Sequence, residues 1–92
     1  MTETKNRVTI DDLLSSIVEE TYTLLPNKRT TVCQLTLYNG FTVEGQSACV
    51  SIENYDKELG ERIARANAVD KLWPLFGFLL AEKLYQASIS NI

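Results

Sequence analysis

The chain has 92 residues with nine basic and twelve acidic side chains, a formal net charge of −3. Hydrophobic residues at 45% and charged residues at 23% suit one small globular domain and exclude a disordered or fibrous chain. The acidic balance makes nucleic acid an unexpected partner, because phosphate neutralisation needs a basic face, and the absence of histidine removes the commonest acid/base and metal ligand near neutral pH.

In chain order, residues 1–7 read as a flexible polar arm and residues 8–92 as a single α+β domain. The polar start is unlike a signal peptide, and no apolar run approaches the ~20 residues that span a bilayer, so no membrane partner is expected. Thr9, with Asp12 three residues on, predicts a helix N-terminus, and Ile10, Leu13, Leu14, Ile17 and Val18 recur at helical spacing up to about Glu20. Tyr22 to Leu25 then favours a short strand, and Pro26-Asn27-Lys28 a turn.

A β-hairpin follows, TTVCQLTLY and FTVEGQS around Asn39-Gly40. A two-residue loop would mix apolar and polar groups on both faces. A three-residue loop, Tyr38-Asn39-Gly40, pairs Leu37 with Phe41, Leu35 with Val43 and Cys33 with Gly45, and leaves Thr36, Thr42, Gln34, Glu44, Val32 and Gln46 on the other, almost wholly polar face. A one-residue slip inverts every side chain, so the second register is expected, with Gly40 left-handed. The run SACVSI either extends the second strand or starts a third. Cys33 and Cys49 form no CxxC pair; they read as reduced, buried thiols, with a structural disulfide as the alternative.

A long helix is expected from about Tyr55 to Trp73, capped by Asn54 or Asp56 and broken at Trp73-Pro74, with an apolar C-terminal helix from about Leu75 to Tyr85. The order is an N-terminal helix, an antiparallel hairpin or small meander, then two helices: α+β with segregated elements. The long helix carries two apolar stripes. Leu59, Ile63, Ala66 and Trp73 make one; Ala64, Ala68 and Leu72 make the other. The alanine-rich stripe suggests close approach of a second helix, either the N-terminal one or one from another copy. The C-terminal segment is apolar nearly all round, which needs burial on more than one side. Ala64, Ala68, Leu72, Phe76, Phe78 and Leu80 are therefore the candidate oligomer interface.

Asn67 and Asp70 fall within the first stripe, beside Ile63; the local reading pairs Asp70 with neighbouring backbone groups or Lys71, and the other makes the two residues interface or ligand contacts. Arg62 and Arg65 are a solvated face, or ring an anionic, nucleotide-type ligand with Tyr55 or Trp73 stacking on it and the helix start at Asn54 nearby. No GxGxxG, P-loop or GxSxG pattern is present, and no nucleophile is placed beside a base, so no enzyme and no cofactor is expected.

From about Thr31 to Leu84 the chain resembles a family of small tailed-phage and prophage proteins, named after a gene-forty-nine and a gene-sixty-six product of two enterobacterial phages. The resemblance rests on Asn39-Gly40-Phe41, Ser47-Ala48-Cys49-Val50, Asn54-Tyr55-Asp56 and Ala64 through Pro74. Where the family usually has an acidic residue before a glycine-aromatic pair, this chain has Phe76 before Gly77-Phe78. The resemblance implies a phage or prophage gene acting in the host bacterial cytoplasm. It implies no catalytic residue. The expected function is a non-enzymatic, homo-oligomeric binding module directed at a host component; the alternative is a minor virion or assembly protein docking through its apolar C-terminal helix.

Overall fold

The computed structural model describes residues 6–90. Most of the expected N-terminal arm, residues 1–5, lies outside the described residues; Asn6 and Arg7 are exposed. Helix α1 spans Ile10–Ser15, strands β1 Ile17–Leu24, β2 Thr30–Leu37 and β3 Thr42–Ala48 form a sheet, and a 3-10 turn at Ile52–Asn54 leads to α2, Lys57–Asp70, and α3, Leu72–Ile89. The protein is thus α+β: a short helix, a three-stranded antiparallel meander, and a long bent helix.

Thr9 caps α1 through a capping box, in which its hydroxyl accepts from the Asp12 N–H and the Asp12 carboxylate accepts from the Thr9 N–H. The helix is shorter than its apolar periodicity predicts. It stops at Ser16, whose hydroxyl donates to the Leu13 carbonyl at 2.6 Å, and the chain from Ile17 enters β1. Ile17, Val18, Thr21, Tyr22 and Thr23 suit a strand, and pairing with the whole of β2 outweighs one further helical turn.

The hairpin register is the expected one. Leu35 pairs with Val43, Cys33 with Gly45 and Gln34 with Glu44. The Leu37 N–H donates to the Phe41 carbonyl, and the Gly40 N–H to the Leu37 carbonyl, both at 2.8 Å. Cys33, Leu35, Leu37 and Val43 are buried under α2, whereas Gln34 and Glu44 are exposed and hydrogen-bonded to each other. Gly40 has φ +90°, and a Cβ there would meet nothing within 4 Å. Gly40→Val is therefore expected to cost about 1–3 kcal/mol through backbone strain alone. A fall in the urea midpoint with an unchanged m-value checks this.

Helix α2 begins at Asp56, whose carboxylate accepts from the Leu59 N–H at 3.0 Å. It lies across β2 and β3 with Ala64 and Ala68 fully buried. The expectation that Ala64 and Ala68 face a second copy or the N-terminal helix is corrected here, as is that of a second copy against Leu72, which shares the core with Leu13 of α1. These residues close the core of their own chain, because Gly45 on β3 has no side chain and lets the α2 backbone approach the strand directly. Leu59, Ile63, Ala66 and Trp73, the stripe that could have covered the sheet, lie outside it with 41% of Leu59 and of Ile63 exposed.

The helical break falls at Lys71, not at Trp73-Pro74. Pro74 is the third residue of α3, where an amide N–H would have no helical partner, so the first turn absorbs the proline. Both cysteines are free, Cys33 buried and Cys49 half-buried. Among the described residues, no helix is long and apolar enough to cross a membrane.

Candidate functional site

Among the described residues, helix α3 packs on the core through its first turns. Leu72 is fully buried, and Leu75 and Phe76 pack on the core. Beyond them Phe78 is 68% exposed, and Leu79, Leu84, Tyr85 and Ile89 are also exposed. The protein is correspondingly long, 62 × 20 × 19 Å. Its radius of gyration is 17.2 Å, whereas a compact domain of this length has about 12 Å.

Two grooves flank the rooted half of α3. One, about 780 Å³, runs between α3 and the N-terminal segment and is lined by Val8, Ser15, Tyr38, Phe76, Leu80 and Lys83 among others. The second, about 260 Å³, lies under the hairpin turn, with Leu37, Leu75 and Phe76 behind Tyr38, Phe41 and Phe78. Tyr38 and Phe41 are also exposed, at 66% and 54%. The hairpin tip and α3 thus bring three open aromatic rings to one side of the molecule. Sequence reasoning singled out Phe78 and set Phe41 on the apolar hairpin face opposite Leu37, where the structure leaves its ring exposed; it missed Tyr38 and Leu79. The available signal was a pair of aromatic residues bracketing Asn39-Gly40, where a solvent-facing turn has no need of them.

The candidate ligand contacts are not brought into one site. Asn54 and Tyr55 line a pocket of about 80 Å³ with Arg29, Thr31, Cys49 and Gly60. That volume is far below the roughly 300–1,000 Å³ of pockets that enclose drug-sized ligands. Arg62 is exposed on α2. Arg65 grips the Glu20 carboxylate on β1 with two bonds, Nε at 3.0 Å and Nη2 at 3.2 Å. The Asn67 amide donates to the Gln46 carbonyl on β3 at 2.8 Å, a tertiary bond between helix and sheet. Asp70 ends α2 in solvent, and Trp73 is 39% exposed at the start of α3. Of the candidate interface, Phe78 and the half-buried Leu80 remain accessible, while Phe76 is half-buried against the core.

Arg65 and Glu20 belong to a small network. The Tyr22 hydroxyl donates to Glu20 Oε1 at 2.8 Å, and Tyr22 pairs with Cys33 across the sheet. Burial, then the bond to Glu20, pushes the Tyr22 phenol well above its ordinary range. Burial likewise raises the Cys33 thiol, the opposite of what a reactive thiolate requires. The network ties β1 to α2. The Arg65 hydrogen bond holds Glu20 below the ordinary 4.5, against a smaller opposing effect of burial. A lowered carboxylate contributes stability above its unfolded pKa and loses it as pH falls through the folded value. Arg65→Ala is expected to cost about 0.5–1 kcal/mol at neutral pH, the small figure reflecting solvent screening of a pair more than a third exposed. It is also expected to flatten the loss of stability below about pH 4.5, as read by urea titrations at pH 7 and pH 3.

No curated protein and no solved structure matches the chain. The profile of one family matches residues 8–84, from the segment before α1 to the middle of α3, and so covers both the sheet and the rooted half of the apolar helix. The chain therefore belongs to the Phage protein (N4 Gp49/phage Sf6 gene 66) family.

Proposed function

We propose that this phage-family protein is a non-enzymatic, homo-oligomeric binding module that captures, and so sequesters or inhibits, a protein of the host bacterial cytoplasm. The observation that carries the reading is the open aromatic patch of Tyr38, Phe41 and Phe78 around the 260 Å³ groove. Aromatic side chains mark the energetic centres of protein interfaces, since each buries a large area at low entropic cost. Exposing three of them on one side of a small acidic domain costs solubility unless a partner covers them. The alternative, docking on a virion component, would use the same patch. A nucleotide-type ligand finds less support, because Arg65 is held by Glu20 and the pocket beside Asn54 and Tyr55 is small.

The test is affinity capture of the full chain from infected cells, with Phe41→Asp/Phe78→Asp in parallel. A host protein retained in fixed stoichiometry by the wild type and lost by the double variant is the expected result. Retention of a virion protein instead shifts the reading to assembly. Equal retention by both forms, or none by either, overturns the patch as the binding surface. Both substituted residues are exposed, so a folding defect does not mimic the loss.

A further inference from the structure

A different face of the long bent helix carries a pattern that the buried core does not use. Leu59, Ile63, Ala66, Asp70, Trp73, Gly77, Leu80, Leu84 and Ala87 follow one another at spacings of four and three residues without interruption. This is the seven-residue repeat of a helix–helix seam. None of the nine is buried in the chain; Leu80 is half-buried and the others are exposed. The core is served by Ala64, Ala68 and Leu72, which lie off this register.

The bend at Lys71 does not divide the seam. Residues 57–89 need about 50 Å as helix. Lys71 is the one residue between α2 and α3, and it keeps right-handed helical dihedrals, φ −73° and ψ −13°, with its N–H bonded back to the Ala68 carbonyl, so the helical phase carries through the bend. The seam thus follows one side of the bent helix for about four heptads.

The chain exposes 6687 Å², whereas a compact monomer of its mass exposes about 5,400 Å². The excess of about 1,300 Å² is spread over the seam, the aromatic patch and the projecting half of α3, and it leaves room for an interface of the standard ~800 Å² per partner.

Resting on the homo-oligomeric reading above, we propose that this seam binds the same seam of a second copy, with the two helices antiparallel and centred on Trp73. Side-chain size favours that orientation. Antiparallel pairing sets Ala66 against Leu80 of the partner subunit, Leu59 against Ala87 of the partner subunit and Ile63 against Leu84 of the partner subunit, so large residues meet small ones or fill the gap jointly. It also sets Asp70 against Gly77 of the partner subunit. A parallel pair would bring the two Asp70 carboxylates face to face, which like charges resist. The aromatic patch on the other flank of α3 stays open for its target.

Sedimentation equilibrium of the full chain tests this with three variants. Wild type is expected at twice the 10.4 kDa chain mass at micromolar concentration. Ile63→Lys and Leu84→Glu each place an unpaired charge in the seam and are expected to weaken association ~100-fold or more. The double variant Ile63→Lys/Leu84→Glu is expected to regain the dimer, because antiparallel pairing joins each lysine to a glutamate of the other chain, while parallel pairing joins like to like. Far-ultraviolet circular dichroism confirms that each variant remains folded, as substitution at exposed positions should allow. A monomeric wild type overturns the homo-oligomeric reading itself. A dimeric wild type whose single variants associate equally well overturns the seam and leaves that reading standing. Single variants that dissociate with no recovery in the double variant overturn the antiparallel pairing.

Discussion

Gly45→Ala is expected to cost about 3 kcal/mol or more, at or beyond the upper end for an overpacked core. The added Cβ would sit 2.5 Å from the Ala64 carbonyl oxygen and 2.7 Å from the Asn67 carbonyl carbon. Both are backbone atoms of α2, so no side-chain rotation relieves the contact. The helix must lift from β3 as a body, which thins its contact with Cys33, Leu35 and Val43 and pulls the Asn67 amide from the Gln46 carbonyl. Small domains have only about 5–15 kcal/mol of total stability, so this one methyl group removes a large share. Urea denaturation followed by tryptophan fluorescence reads the effect directly, since Trp73 lies one residue past the buried Leu72. A loss below ~1 kcal/mol would show that α2 is more loosely seated than its contact with Gly45 requires.

The same contact explains what was and was not legible in the sequence. The hairpin register could be read because a slip of one residue exchanges a clean apolar face for a mixed one, and Leu35, Val43, Gln34 and Glu44 lie where that argument puts them. The caps at Thr9 and Asp56 were legible for a similar reason: the residue type and the donor it satisfies are local. The choice between the two stripes of α2 was not local. Leucine, isoleucine and tryptophan make the more hydrophobic stripe, and hydrophobicity alone directs it inward. The glycine on β3 reverses that choice, because it admits a helix only through the face whose side chains are single methyl groups. The end of α1 was misplaced for a related reason. Ile17 and Val18 satisfy helical spacing and strand propensity equally, and the decision rests with β2, which lies some 15–20 residues further along the chain. The candidate ligand contacts failed to converge because Arg65, read as free, has a carboxylate partner 45 residues away.

Leu72→Ala is the second substitution with a large expected effect, a loss of about 2–5 kcal/mol. Leu72 is fully buried and is the first residue of α3, so it belongs to the core and also anchors the helix that projects from it. Truncation removes three heavy atoms from the cluster shared by Leu13, Leu37 and Val69, and the junction at Lys71 cannot collapse into the space without redirecting one helix. Phe78→Ala, only six residues on, removes a larger side chain that is 68% exposed, and is expected to change monomer stability by less than ~0.5 kcal/mol. Thermal and urea melts of the two variants at the same low concentration separate the cases. Hydrogen exchange adds a second readout: Leu72→Ala should speed exchange along the whole of α3, whereas Phe78→Ala should leave the turn at Leu72 protected. The contrast follows from how the sequence spends its apolar residues. A 92-residue chain has one thin core, and α3 gives it only the first turns. Those turns aim the rest of the helix outward, so a substitution that loosens Leu72 should weaken target capture and self-association together, while one at Phe78 should weaken capture alone.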